Sequence, residues 1–589
     1  MSRNAQSLAA LDQAPTLLID PGILEKNLAA LRFEHTRLAH ELQTLALPAH
    51  WRPVSALDGF PTWRTELPGA PPHWLAGTAA PDTRARATLE QACFGDANIL
   101  LPSVGAGAEA LRSLERLGVY QAVFVCVPEP MTLAATLRTV DLATEIESRR
   151  CWFLQANNEE ATLTEFLQHY PGLLAPTVLL RIPDIPPNRI SALRDICERV
   201  ARHIATHRKA RLAILQADWP NPAAHADREI RLGLLALNPD PAALAAAREL
   251  ESAASADGWT MTAGIADSPP QVGPLVHAER LRNVGVDIVV CVNHGPEMLP
   301  IPSRVTRATW HLQPLTTSPA ADLHLACSPT NRRDLKKAGI ADSSIVDFFW
   351  GCRTDESPPP VRDGPILIAE DLPDCTADGA GITQATHRLL WEALLKVVQN
   401  ELRAGRLSPP DGLLIAAERQ SGVRLQDEAL RQAVLELVQR RAVPGVALEL
   451  LVRSLLNARQ RVRPIGSGWQ RLSDLSFEMS TESPAAFVTT TTLDAWTQSI
   501  APLAGQGVPL IVFEPTPGQS AAQLDGILEL GKHYDVFQTI SDLPGLLESL
   551  RRDEAGYRRR AERLRGQMRT QHTWTRRLTL LAKRLKSPV

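Results

Sequence analysis

The spacing of apolar positions changes character several times along the chain, and each change predicts a different kind of element. Leu24, Leu28, Leu31 and Leu38 recur at helical spacing, and the stretch around Trp51, Trp63 and Trp74 that follows is rich in Pro and Trp. Residues 1–90 therefore read as a helical and irregular arm, not a complete fold. From Asn98 the pattern becomes strand, glycine turn, helix, strand: Ile99 to Leu101, Ser103 to Gly107, Ala110 to Leu117, then Ala122 to Val127. That order predicts a small Rossmann-like domain over 91–175. A second alternating series starts at Thr177. Its apolar runs are Val178–Ile182, Leu212–Leu215, Met261–Ile265, Asp287–Val292, Leu323–Cys327 and Ile345–Phe349, with helices to about Arg208, over 241–255 and over 275–283.

Strands alternating with helices imply a parallel sheet covered on its faces, here over 176–355. The segment from Cys352 to Pro365 is crowded with Pro, Asp and Gly and marks a boundary. Beyond it a third series covers 363–589: Ile366–Ile368, helix 383–404, Gly412–Ile415, helices 426–440 and 445–458, Arg461–Ile465, Ala486–Val488, Val508–Phe513, and closing helices from Leu543 to Leu585. The predicted fold class is α/β, with two large Rossmann-like domains preceded by a smaller one.

Composition narrows the function. The chain has 589 residues, 44% hydrophobic and 22% charged, with a formal net charge of -3, which gives no overall attraction to nucleic acid or anionic membrane. No apolar run reaches the ~18 residues needed to span a bilayer, and the first residues lack the features of a signal peptide, so the expected compartment is the cytoplasm. The eight cysteines are scattered without a CxxC pair, and several sit inside apolar runs, so they read as buried thiols. Residues 551–586 hold thirteen Arg or Lys, among them Arg558, Arg576, Arg577 and Lys583, against Asp553, Glu554 and Glu562. Tyr557, Leu564, Met568, Leu578 and Leu581 recur there at helical spacing, so one face is expected to pack while the cations are solvated, with weak membrane-surface contact as the alternative.

Two large Rossmann-like domains, a linker and a closing helix resemble the layout of GT-B glycosyltransferases. His572-Thr-Trp-Thr-Arg576 ahead of a final helix resembles the closing segment of CgeB-like, spore-maturation type glycosyltransferases. Ile366 to Asp374, Gly381-Ile382 and His387 to Trp391 look like the start of their second domain. Asn27 to Leu31, Asp58-Gly59, Ala87 to Phe94 and the Gly105–Gly107 turn are similar to the region ahead of such transferases and, more distantly, to motility accessory factor proteins. The resemblance implies transfer of a sugar from a nucleotide-sugar donor held by the C-terminal domain to a protein or glycan acceptor on the 176–355 side. Retaining members carry two glutamates eight apart; here Glu478 is followed at that distance by Ala486. A donor-domain histidine expected near Thr489–Thr492 is replaced by four threonines.

Such chemistry needs anion recognition and a base. Glycine turns at helix starts present N–H groups to a diphosphate, and Arg supplements them. Gly466-Ser-Gly-Trp469 after a strand carrying Arg463 fits that requirement, with an ordinary strand-to-helix turn as the alternative. Gly507-Val-Pro509 and Pro517-Gly518-Gln519-Ser520 resemble donor-side loops of GT-B families. For the base, His294 follows an apolar strand and is expected at the carboxyl edge of the sheet, with Glu297 and His311 as substitutes. No DxD-type pair stands in a suitable loop, so no metal is expected.

Two other functions stay open. The Gly105–Gly107 turn, followed by Val123–Val127 and Glu129, imitates an S-adenosylmethionine-dependent methyltransferase, although Pro128 and Pro130 constrain the loop that carries the acid. The missing glutamate pair also allows an inactive GT-B protein that binds a glycan or a partner.

Overall fold

The computed structural model describes residues 15–586 apart from 70, 91, 93, 221–229, 237–240, 257–258, 266–267, 296–298, 313–320, 353–359, 479–480 and 492–499. It forms two compact units. The first comprises residues 1–239, 262–287 and 297–305, and the second 240–261, 288–296 and 306–589.

In the first unit, β1 (Trp51–Ser55), β2 (Pro61–Thr65) and β3 (His73–Trp74) make an antiparallel sheet. A second sheet is parallel, built from β4 (Asn98–Leu101), β5 (Val123–Val127), β6 (Cys151–Gln155) and β7 (Pro176–Leu179) in the order β6-β5-β4-β7. The N-terminal segment is not a loose arm. Leu28, Leu31, Leu38 and Leu42 share one core with Ile99, Leu101, Val123 and Val125. Asn27 is buried and satisfied: its amide donates to the carbonyls of Leu137 and Val140 and its oxygen accepts from the Leu142 N–H. Trp63 Nε1 donates to the Ala135 carbonyl at 2.8 Å. Short helices and a small sheet complete the core because the four-stranded sheet alone would leave an apolar face wet.

The strand expected to open the second series, β7, pairs instead with β4 in the first sheet. The run Leu212–Leu215, read as extended, lies inside a 31-residue helix, Pro187–Ala217. No breaker separates it from the helix formers before it, and Ile214 is exposed while Leu215 is buried, as a helix edge requires. Leu193, Cys197, Val200 and Ile204 of this helix pack on Phe124, Trp152 and Leu154. β8 (Leu232–Ala236) and nearly all of β9 (Met261–Ile265) complete the strands of the first unit.

The second unit contains β10 (Ile288–Val292), β11 (Thr306–His311), β12 (Leu323–Ala326) and β13 (Ile345–Asp347), all parallel, in the order β13-β12-β11-β10. It also holds β14 (Ile366–Ala369), β15 (Val462–Ile465), β16 (Ala486–Thr490), β17 (Leu510–Phe513) and β18 (Tyr534–Phe537), a five-stranded parallel sheet of order β15-β14-β16-β17-β18. Gly412–Ile415, read as a strand, is the first half of helix Pro410–Ser421. Pro410 sits at its start, where no donor is lost, and Leu413, Leu414 and Ala417 form its buried stripe. The helices expected at 426–440 and 445–458 run together through a π turn at Val438–Ala442 just before Pro444, a wider turn that accommodates a residue without an N–H.

Helices Glu554–Gln571 and Trp574–Lys586 close the chain. Tyr557, Leu564 and Met568 face inward as the spacing predicted. Among the described residues no helix is long and apolar enough to cross a membrane. The sheets and their parallel order establish the α/β, Rossmann-like class.

Candidate functional site

In a parallel sheet, ligands approach the carboxyl ends of the strands. At that edge of the five-stranded sheet the chain leaves β14 through Glu370, Asp371 and Leu372, leaves β15 through Gly466 to Trp469, and leaves β17 through Glu514 and the turn 515–518. Two glycines shape the β15 exit. Gly466 has φ +124°, and a Cβ there would stand 2.7 Å from Asp371 Oδ1; Gly468 has φ +86°, and its Cβ would stand 2.2 Å from the Leu372 carbonyl oxygen. The turn therefore lies directly on the segment that follows β14.

Hydrogen bonds fix that contact. Ser467 N–H donates to Asp371 Oδ1, Leu372 N–H donates to the Ser467 carbonyl at 2.9 Å, and Trp469 Nε1 donates to the Glu370 carbonyl at 2.8 Å. The exposed N–H of the turn thus already serves a carboxylate. Arg471 reaches the Leu372 carbonyl at 3.1 Å, and Arg463 donates to the Glu482 carbonyl at 3.0 Å.

The β17 exit is arranged similarly. Glu514 is buried and its Oε1 accepts from Ser520 N–H at 2.7 Å. Thr491 Oγ1 donates to Gln519 Oε1 at 3.0 Å, and Gln523 Nε2 donates to the Thr491 carbonyl at 3.1 Å. Between these, Gly518 at φ +87° has nothing within 4 Å of its Cβ position and is exposed. Thr489 Oγ1 donates to Glu370 Oε1, so two strand-end glutamates, Glu370 and Glu514, are each held by a neighbouring donor. Among the described residues the edge presents many oxygen acceptors, and its Arg463 and Arg471 donate to backbone carbonyls, a surface matched to hydroxyl groups more than to phosphates.

Of the residues expected to hold a donor, Gly466, Gly468, Trp469, Gly518, Gln519 and Ser520 all gather at this carboxyl edge, with Arg463 on the edge strand β15. Gly507 and Pro509 do not. They precede β17 and so lie at its amino edge, where a Cβ on Gly507 would meet the Ala561 carbonyl at 2.6 Å; this glycine admits helix Glu554–Gln571. Glu370 and Glu514 escaped the sequence reading, in which Asp371 bears only on a metal and Thr491 is only one of four threonines at a strand end. The signal available was acids directly after all-apolar strands, Ile366–Ala369 and Leu510–Phe513.

His294 follows β10 as the apolar run predicted, whereas His311 ends β11, a strand the sequence reading did not predict. His294 is half-buried, and its carbonyl accepts from Thr309 Oγ1 at 3.1 Å. Asn293 before it is left-handed at φ 60° and takes the Leu312 N–H at 2.7 Å, which anchors the loop. His311 is buried, and its Nε2 lies 3.0 Å from Nδ1 of His324 with the rings stacked at 5.3 Å. Burial, reinforced by His324, pushes His311 down to about 4. That ring is a neutral packing element and a poor base. Glu297 lies outside the described residues.

The glycine turn of the first unit has its own explanation. A Cβ on Gly107 would stand 2.7 Å from Thr136 Cγ2, so the glycine lets two helices meet, and the space by Gly105 holds Glu109 and Arg84. Arg84 pairs with buried Glu109 at 2.7 Å and with Asp184 at 2.8 Å. The Gly105 turn therefore faces an ion-paired cluster of the chain's own side chains.

No family model matches the chain, and no curated protein matches it. Several solved structures are similar at low identity. The MAf glycosyltransferase of Magnetospirillum magneticum AMB-1 is 13% identical with a TM-score of 0.25, over 50% of this chain and 54% of that one. The match therefore spans about half of that protein's length. HepE of Anabaena, solved with UDP and glucose, is 12% identical with a TM-score of 0.33, over 61% of this chain and 100% of that one. A glycosyltransferase of Rickettsia africae ESF-5 is 11% identical with a TM-score of 0.31, over 61% of this chain and 98% of that one.

Proposed function

We propose that the chain is a GT-B-type, CgeB-like glycosyltransferase that takes a sugar from a nucleotide-sugar donor to a protein or glycan acceptor without a metal. The donor side is the 363–589 region and the acceptor side is the part of 176–355 that carries β10–β13. The observation that carries this reading is the carboxyl edge of the five-stranded sheet. Glu370 and Asp371 at the β14 exit, and Glu514, Thr491 and Gln519 beside the open turn at Gly518, line this edge with oxygen acceptors suited to sugar hydroxyls. His294 is the group to take the proton from the acceptor hydroxyl, because it is half-buried at a strand end while His311 is sealed against His324. The methyltransferase reading is the less favoured one, because Gly107 is accounted for by its contact with Thr136 and Gly105 stands beside the Arg84–Glu109 pair.

One observation favours a binding-only variant of the same reading. The turn N–H at Ser467 is occupied by Asp371, which opposes a diphosphate at that place. A nucleotide-sugar panel against the full chain, read by thermal shift and then by donor turnover, separates the two. Transfer predicts stabilisation by one nucleotide sugar and a fall in turnover of ~100-fold in His294→Ala with donor affinity kept. Stabilisation by a free sugar but by no nucleotide sugar establishes the binding-only variant, and stabilisation by neither ends both readings.

A further inference from the structure

The second unit contains a cavity of about 710 Å³ between helix Pro329–Lys337, the 522–526 segment at the far end of the helix that starts at Gln519, and the closing helices. Its volume falls within the ~300–1,000 Å³ typical of sites for small organic ligands. The lining carries five cations, Arg332, Arg333, Lys336, Arg576 and Arg577, against Asp347 and Asp525. The carboxylates do not balance them evenly. Arg332 pairs with Asp342 and Asp347, and Lys336 reaches Asp342 at 2.9 Å. Arg333, Arg576 and Arg577 make no ion pair among the described residues.

Arg577 forms the floor. It is 4% exposed, a placement rare for an arginine without a carboxylate in contact. Its Nε donates to the Phe349 carbonyl at 3.2 Å, its Nη2 donates to His572 Nδ1 at 2.6 Å, and its guanidinium lies over the Phe349 ring at 5.4 Å. These neutral partners fix its plane without cancelling its charge. Burial pulls its pKa down to about 10, so it stays protonated at neutral pH. Arg333 and Arg576 stand exposed in the same lining, on different helices. Phe349 and Leu580 add apolar wall to the cavity.

We infer that this cavity is a binding site for a phosphorylated small molecule, held by Arg577 at its floor and by Arg333 and Arg576 at its rim. Planar guanidinium forks suit phosphate oxygens, and an anion there supplies the charge that Arg577 lacks. The residues that hold the anion, Arg333, Arg576 and Arg577, are none of those proposed for the sugar donor, and the inference does not depend on that assignment.

The test is calorimetric titration of inorganic pyrophosphate into the full chain at constant ionic strength. One site is expected, with affinity falling ~10-fold or more in each of Arg333→Gln and Arg576→Gln. Arg576→Lys, which keeps the charge and loses the fork, should fall between wild type and Arg576→Gln. Both arginines are exposed, so their replacement leaves the core intact, and Arg558→Gln on the preceding helix should bind as wild type does. Absence of binding, or binding unchanged in both glutamine variants, overturns the proposal. So does binding lost in Gln519→Ala and kept in the arginine variants, because the anion then sits at the sheet edge.

Discussion

Mild acid should destabilise the second unit, chiefly through two buried imidazoles. His572 is 3% exposed, and Arg577 donates to its Nδ1, which leaves the proton of the neutral ring on Nε2. Burial first, then the Arg577 charge, push it down to about 3, while His311 is pushed to about 4. Unfolded, each titrates near ~6.5. Because the folded values are depressed, the unfolded chain binds more protons below that point, so stability is full above it and is lost as pH falls. Each pH unit costs about 1.4 kcal/mol per group, so the drop to pH 5 removes about 2 kcal/mol for each imidazole and about 4 kcal/mol for the pair. That is a large share of a typical stability of ~5–15 kcal/mol. Urea unfolding followed by tryptophan fluorescence reports it, since Trp574 packs 5.8 Å from Trp310 and 6.3 Å from Trp350 in the same unit. The midpoint should fall by roughly 1 M or more between pH 7 and pH 5. In His572→Gln the starting stability is lower but the pH slope should be smaller, the remainder coming from His311 and the other imidazoles that burial pushes down, His324 and His533. An unchanged midpoint across that range, or a wild-type slope in the variant, refutes the argument.

Gly468→Ala should destabilise by at least ~2 kcal/mol, through left-handed strain plus displacement of the Leu372 carbonyl 2.2 Å away, whereas Gly518→Ala bears only the ~1–2 kcal/mol of strain. Equal losses in urea unfolding would show that the backbone contact does not matter. Asp371→Asn removes a charge worth about 1 kcal/mol at contact in water, so a nucleoside diphosphate titrated into the variant should bind ~5-fold tighter; unchanged affinity would mean that this carboxylate does not guard the edge.

Much of the fold was legible because parallel strands are buried on both faces and appear as solid apolar runs, as Ile288–Val292 and Leu510–Phe513 do. The same signal misled at Leu212–Leu215 and Gly412–Ile415, since a short apolar run inside a helix looks alike and only the flanking residues separate the two. Pro409-Pro410 marked the second as a helix start. The membership of β7 was not legible, because strand pairing is settled by packing far along the chain. In the candidate site, the glycines were visible but their partners were not. Gly107 and Gly507 resemble ligand turns in sequence, yet each is required by a neighbouring helix, at Thr136 and at Ala561 respectively. Conversely Glu370 and Glu514 look like ordinary strand ends until the Thr489 hydroxyl and the Ser520 N–H are seen to meet them.

The closing segment has a consequence for biosynthesis. Cys352 N–H donates to the His572 carbonyl at 2.8 Å and Trp574 N–H donates to the Cys352 carbonyl at 3.3 Å, while Trp574 covers Trp310 and Phe348. A stretch emerging early from the ribosome therefore waits for residues made more than two hundred positions later before its aromatic surface is covered. Until then that surface is exposed to chaperones or to association with other nascent chains. A chain cut just before His572 would carry every strand of both parallel sheets in this unit and still lack the piece that seals the first of them.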